Sequence, residues 1–401
     1  MPRTYTILRD VSQTRTSEPF RGGRVGSGAA GVPEAVPEPR IETADLTTRE
    51  VRDLARDPEV AAIAPVMPTK LIRPVDMDAQ PAAATAWGIS AVKADESPFT
   101  GEGVIACVLD TGIDASHPAF AGVSLIQQDF SGSGNGDRQG HGTHCAGTVF
   151  GRDVDGTRIG VARGVETALI GKVLGDDGGG DSDMIFRGIQ WAVDNNANVI
   201  SMSLGFDFPG FVRFLVEQQQ IPVEPATSMA LEAYRGNLRM FDALMAIVRA
   251  RAAFGGGTLL VAAAGNESNR GRRPDYEIAA SLPAAAEGIV SVGALEQTTG
   301  GLGVAFFSNT FPQISAPGVG VLSAKAGGGL RSLSGTSMAT PHVAGVAALW
   351  WEAVRRSPIP ATAVNVLSKL IATARSTGFA AGGDIADRGV GIVTAPLSST
   401  A

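Results

Sequence analysis

Gly335-Thr336-Ser337-Met338-Ala339-Thr340-Pro341-His342-Val343-Ala344-Gly345 leads from a short polar-mixed stretch into a strongly apolar one, Val346-Ala347-Ala348-Leu349-Trp350-Trp351. Val343, Val346, Ala347 and Trp350 share one face at helical spacing, so the pattern predicts a buried helix. Ser337 stands at its entrance, where a serine is a preferred cap. Pro341 belongs in a first turn, where its missing N–H costs little. The same place sets a serine oxygen at the positive end of a helix dipole, beside unpaired backbone N–H groups. Two readings follow: an ordinary cap, or a nucleophile whose reaction builds negative charge on an oxygen. Alone, the stretch favours the cap. The second reading needs a base, an orienting carboxylate and an oxyanion donor from elsewhere.

Outward from this helix, the chain from Gly101 alternates apolar runs with helical patterns. Val104-Ile105-Ala106-Cys107-Val108-Leu109 is continuous and apolar, as in a strand buried on both faces. Similar runs are 168–174, 199–204, 259–264 and 289–292. Met184 to Asn195 and roughly Ser228 to Ala253 read as helices, the second with Leu238, Phe241, Leu244, Met245 and Val248 on one face. The expectation is an α/β domain whose mostly parallel sheet is covered by helices on both sides. Ligands of such sheets bind beyond the carboxyl ends of the strands. Those ends carry Asp110-Thr111-Gly112-Ile113-Asp114, Ser203-Leu204-Gly205 and Gly265-Asn266-Glu267-Ser268, while His141 opens another glycine-flanked helix, Gly140 to Gly147. Asp110 alone reads as a cap and Asn266 alone as a turn residue. Four such elements on one rim read as a site.

Composition bounds the rest. Of 401 residues, 44% are hydrophobic and 18% charged, ample for a large core. A net charge of −7 argues against a nucleic-acid surface. No apolar run reaches the length of a membrane span. Met1 to Asp10 lacks the apolar centre of a secretory signal, so the expectation is a cytoplasmic protein, or one secreted by another route. Cys107 and Cys145 are the only cysteines, which excludes a disulfide framework. Residues 1–75 read as a small α+β domain. It has strands at Tyr5-Thr6-Ile7-Leu8, Arg40 to Leu46 and Val60 to Val66, and a helix to Arg56 with Thr47 and Glu50 at capping-box spacing. Ser17 to Pro39 is a Gly-, Pro- and Ala-rich insertion, and Pro74 to Ala86 a linker. Residues 76–401 form the larger domain.

Val108-Leu109-Asp110-Thr111-Gly112-Ile113-Asp114, His141-Gly142-Thr143-His144-Cys145-Ala146-Gly147 and Gly335 to His342 resemble the three signature blocks of the subtilisin-like serine proteases, peptidase family S8, in the chain order Asp, His, Ser. The likeness spans about Ala86 to Leu397. It implies a three-layer subtilisin-like fold and serine endopeptidase activity. Ser337 would be the nucleophile, His141 the base, Asp110 its orienter, and the Asn266 amide with the Ser337 N–H the oxyanion hole. It implies a polypeptide substrate held as an extended strand between Gly178-Gly179-Gly180 and Ser203-Leu204-Gly205. Ala263, Ala264 and Gly265 would line the pocket for the residue before the cut. The N-terminal domain resembles, more weakly, the family's inhibitory propeptide. It would act as an intramolecular inhibitor, its tail Pro65 to Leu71 lying along the glycine edge and self-cleavage falling between Pro68 and Ala82.

The remaining histidines read as structural: His144 one turn from His141, His342 inside an apolar helix, and His117 in a loop, exposed. Cys145 reads as a free buried thiol beside the base. A disulfide to Cys107 or a zinc site are the weaker readings, so no metal ligand is assigned. The chemistry requires no cofactor. The family's calcium site uses an acid shortly after a His-Pro pair, and His117-Pro118-Ala119-Phe120 has none; Asp153 and Asp155 lie nearby, and structural calcium stays open. Asp176, Asp177, Asp181 and Asp183 read either as a solvated loop or as a preference for basic residues upstream of the cut. Phe206 to Thr227 reads as a lid, an exosite or a packed excursion. Two other functions stay in view: a dedicated processing peptidase for one partner, and a silent binding module, against which the complete set Asp110, His141, Asn266 and Ser337 argues.

Overall fold

The computed structural model describes residues 3–10, 39–75, 85–381 and 383–398. Residues 17–38 of the insertion and 76–84 of the linker lie outside the described residues. The chain forms two compact units, Met1–Met67 with Phe208–Ile247, and Pro68–Asp207 with Val248–Ala401. Residues 68–75, grouped with the N-terminal domain on sequence, therefore belong to the larger unit. Among the described residues no helix is long and apolar enough to cross a membrane.

The larger unit is built on an eight-stranded sheet. Its order is Gly301–Val304, Ile289–Thr298, Leu259–Ala263, Val199–Met202, Ile105–Asp110, Thr167–Lys172, Ser124–Asp129, with Ile314–Pro317 also paired to Ile289–Thr298. All pairs are parallel except the one with Gly301–Val304. Strand order reverses at Ile105–Asp110, so Asp110 emerges where open α/β sheets place their ligands. Alternate residues of that strand face opposite layers. Val108 joins the core with Cys145, Val149, Val343 and Val346. Leu109 points the other way, toward the helix Ser182–Asp194, where a Cβ on Gly188 would lie 3.3 Å from it. The result is a three-layer α/β fold.

The helix Thr336–Arg355 corrects two expectations. Its N-cap is Gly335, with no side-chain cap bond, so Ser337 is the second helical residue and not the cap. Pro341 stands inside the helix, not in its first turn. A proline there withdraws the hydrogen bond owed to the carbonyl four residues back. That carbonyl belongs to Ser337, and it accepts instead from Ser203 Oγ at 2.9 Å and Cys145 Sγ at 3.5 Å. The helix defect thus ties the nucleophile candidate's backbone to two other elements of the site.

The smaller unit is a three-stranded antiparallel sheet, ordered Arg40–Leu46, Arg3–Arg9, Val60–Pro65, with the helix Thr48–Leu54. Thr47 and Glu50 close the expected capping box. The same unit contains the helix Phe208–Glu217 and most of Val223–Gly255, which begins earlier than the sequence periodicity predicts. Leu215, Ala226 and Ala230 form a local core flanked by Phe208, Phe211, Val212 and Ile221. Asn237 Nδ2 donates to Pro65 O at 2.9 Å. The Phe-rich insertion is thus a packed helical element in one unit with the N-terminal strands.

Candidate active site

Asp110 ends its strand buried. Its Oδ1 accepts from the Thr111 N–H and from His141 Nδ1, each at 2.8 Å. His141 opens the helix His141–Phe150. Gly142 follows it because a Cβ there would sit 2.2 Å from the Gly112 carbonyl oxygen, so only glycine lets the helix start press against the Asp110 loop. Asp137 braces the junction. It accepts from Thr111 Oγ1, the Gly140 N–H, and both the N–H and hydroxyl of Thr143. Sequence reasoning passed over Asp137, which stands three residues outside the N-cap Gly140, beyond the position where a capping side chain is looked for.

With Nδ1 donating to Asp110, His141 presents Nε2 as an acceptor. Nε2 is buried and has no hydrogen-bond partner. Burial pushes the imidazole pKa down, the facing Asp110 carboxylate and the neighbouring Cys145 push it up, and the net position lies well above the ordinary 6.5. Cys145 Sγ lies 3.7 Å from Nδ1, and burial pushes its own pKa up, so it remains a neutral thiol. Both cysteines are free and buried. Among the described residues, the one group of donors close enough for a metal is Asp110, His141 and Cys145, two of which already bind each other.

Asn266 follows Ala263, Ala264 and Gly265 out of the strand Leu259–Ala263. Its Oδ1 accepts from the Thr336 N–H at 2.9 Å and from Thr336 Oγ1 at 2.8 Å. These two donors identify the oxygen and leave Nδ2 aimed outward. Thr336 is a second residue that the sequence reading missed. Ala264 is anchored behind, its carbonyl accepting from the Ser281 N–H and Asn309 Nδ2.

The chain's own residues 68–75 run through this site. Pro68–Leu71 forms the middle strand of a three-stranded antiparallel sheet between Gly179–Asp181 and Leu204–Phe206, the two edges expected from sequence. Leu71 N–H donates to Gly178 O, and on the far side Val75 N–H donates to Ser334 O. Between them Ser337 Oγ donates to Ile72 O at 3.0 Å, and Asn266 Nδ2 donates to Arg73 O at 3.0 Å. Leu71 pairs with Leu204 and Lys70 with Gly205. Ile72 is 2% exposed. A Cβ on Gly205 would lie 3.3 Å from Ile72 Cγ1, so glycine leaves room for that side chain.

Residues 101–392 match the model of the subtilase family. The chain belongs to the subtilase family. It is similar to the thermostable alkaline protease of Halalkalibacterium halodurans, 36% identical over 314 residues, covering 76% of this chain and 71% of the relative. It is 32% identical over 318 residues to the subtilisin-like serine protease Pen c 1 of Penicillium citrinum (76% and 68% covered). It is 30% identical over 335 residues to subtilisin J of Geobacillus stearothermophilus (80% and 74% covered). Family membership makes this subtilase a serine endopeptidase.

The subtilase's other histidines are held by backbone. His144 Nε2 meets Val321 O and Arg331 O, and burial and His141 bring its pKa to about 3. His342 Nδ1 donates to Met338 O, and burial brings it to about 4. His117 is buried, contrary to expectation: Nε2 reaches Gly329 O, and Nδ1 accepts from the Ala119 N–H. Asp153 is engaged by Arg163.

Proposed function

We propose that Ser337, His141 and Asp110 form the catalytic triad of this endopeptidase, and that its N-terminal residues hold it as a self-inhibited zymogen. The observation that carries this reading is the chain's own segment, threaded between two edge strands with the Ile72 carbonyl against the Ser337 hydroxyl. In the reaction, Ser337 Oγ adds to a peptide carbonyl carbon as His141 Nε2 takes its proton. His141 returns that proton to the leaving nitrogen, and water then hydrolyses the ester. Asp110 fixes the tautomer and stabilises the imidazolium. Asn266 Nδ2 and the Ser337 N–H, one of the helix's unpaired first N–H groups, stabilise the oxyanion. Ala263, Ala264 and Gly265 line the pocket. No step needs a cofactor.

The Ile72 carbonyl lies against the Ser337 hydroxyl, so on this reading Ile72 is the residue before the cut and the bond facing Ser337 is Ile72–Arg73, inside the interval expected for self-cleavage. The segment is bound without being poised. Ser337 donates to Ile72 O instead of to His141 Nε2, and Asn266 holds the Arg73 carbonyl, one residue beyond the one that would become the oxyanion. A bound strand held off the reacting geometry is cut only slowly, so it blocks the site until its own cleavage releases it. The compact unit shared by residues 1–67 and the helical insertion supports this reading, since it gives the N-terminal strands a platform supplied by the enzyme's own chain.

Two outcomes test the chemistry. A protonated imidazole cannot accept the serine proton, and Asp110 raises the His141 pKa. The acid limb of kcat/KM on a small peptide should therefore centre above pH 6.5, with activity lost as pH falls through it. A limb at or below that value contradicts the coupling. Asn266→Ala should lower kcat by roughly 10²–10³-fold, the figure known for this donor in subtilisin itself, with KM little changed. A loss confined to KM would remove Asn266 from the oxyanion hole.

A further inference from the structure

The segment in the cleft also reports what the cleft selects. Lys70 is the third residue before Ile72–Arg73, counting Ile72 as the first. Its backbone pairs with Gly179 on one side and Gly205 on the other. Its ammonium reaches Asp207 Oδ1 at 3.0 Å, with the two side chains 39% and 28% exposed. Asp207 lies two residues beyond Gly205, the diagonal position that a long side chain spans across an antiparallel pair. We propose that Asp207 is a specificity-determining residue of this endopeptidase, selecting lysine or arginine at the third position before the cut. The inference rests on reading residues 68–73 as bound in the manner of a substrate.

The acids singled out in the sequence are engaged elsewhere. Asp176 meets Lys172 and Arg138. Asp177 Oδ1 accepts from the Gly179 N–H. Asp183 pairs with Arg187. Asp181 is partly buried, and desolvation with the neighbouring Asp183 pushes its carboxyl up, which disfavours the charge a basic substrate would need. Asp207 comes from the opposite edge and is the acid that an incoming strand meets. Its contact with Lys70 is half-exposed, so it acts as a selector of modest strength and weakens with salt.

The test uses active enzyme obtained from the full chain and three fluorogenic peptides ending in Leu-Ile before the cut, with Lys, Gln or Glu at the third position. Native enzyme should favour Lys over Gln by about two- to five-fold in kcat/KM at low salt, and disfavour Glu. The ratios should approach one in Asp207→Asn, which keeps an acceptor before the helix Phe208–Glu217, and should invert toward Glu in Asp207→Lys. Native ratios near one, or ratios unchanged in both variants, overturn the proposal while leaving the protease reading intact. Enzyme that cuts none of the three and leaves Ser337 unlabelled by a fluorophosphonate overturns both.

Discussion

Ser337→Ala protein should remain at full length and hydrolyse no peptide, while the native chain should shorten to a product beginning at Arg73. On the proposed reading the side chain carries the reacting oxygen, and among the described residues no other hydroxyl is hydrogen-bonded to the Ile72 carbonyl. Removing the equivalent serine costs subtilisin itself about 10⁶-fold in kcat, and a loss of that order is expected here. The fold should survive. Ser337 is not the helix cap, since Gly335 holds that position, so no cap bond is lost. What disappears is the hydroxyl's bond to Ile72 O at 3.0 Å and its longer alternative to Ser203 O at 3.4 Å, together worth about 1 kcal/mol since one proton serves both. The Ser337 carbonyl keeps its bonds to Ser203 and Cys145, because those belong to the backbone. Mass spectrometry of both proteins over time, with hydrolysis of a chromogenic peptide, reads out both halves. Near-native hydrolysis by the variant removes Ser337 from the mechanism. Native protein that stays whole while fully active removes the zymogen reading. A native product starting elsewhere than Arg73 means that the strand slides before it is cut.

Much of this site was legible in the sequence because its parts are short and local. A buried strand announces itself as an apolar run, and Asp110 and Asn266 lie just beyond such runs while Ser203 stands near the end of one. The glycine-flanked starts at His141 and Ser337 mark places where backbone elements crowd. What the sequence hid depends on partners far apart in the chain. Thr336 orients Asn266 across seventy positions, and His117 is buried by a bond to Gly329 that spans 212. Neither pairing leaves a local trace. The role of Pro341 was misread for a different reason. Moving a helix start by one turn turns a harmless proline into one that frees a carbonyl, and sequence patterns locate helix ends only to within a few residues. The acidic loop at 176–183 attracted the specificity reading because its charges are contiguous. Asp207 is isolated in sequence, and it meets Lys70 only through the register of two paired strands.

Asp110→Asn should separate orientation from nucleophilicity. Among the described residues Asp110 makes no hydrogen bond to the segment in the cleft or to Ser337; its Oδ1 accepts from the Thr111 N–H and from His141 Nδ1. An asparagine fits the same space but carries no charge and presents an NH₂ as readily as an oxygen. With the NH₂ facing Nδ1, that nitrogen must accept, and the ring proton moves to Nε2, where it blocks transfer from the serine. A loss of about 10⁴-fold in kcat is expected, the figure established for the corresponding change in a chymotrypsin-type protease. KM should hardly move, because the edges that hold residues 68–71, Gly179–Asp181 and Leu204–Phe206, are untouched. The residual activity should also titrate differently. Burial pushes the His141 pKa down, while the Asp110 charge, with Cys145 beside it, pushes it up to a net rise. Without that charge the balance moves toward burial and the imidazole stays neutral to lower pH, so the acid limb of the variant should lie below that of the native enzyme. A small loss in kcat would mean that Thr111 and the helix start suffice to hold the ring. A large loss with an unshifted limb would mean that Asp110 orients His141 without setting its charge.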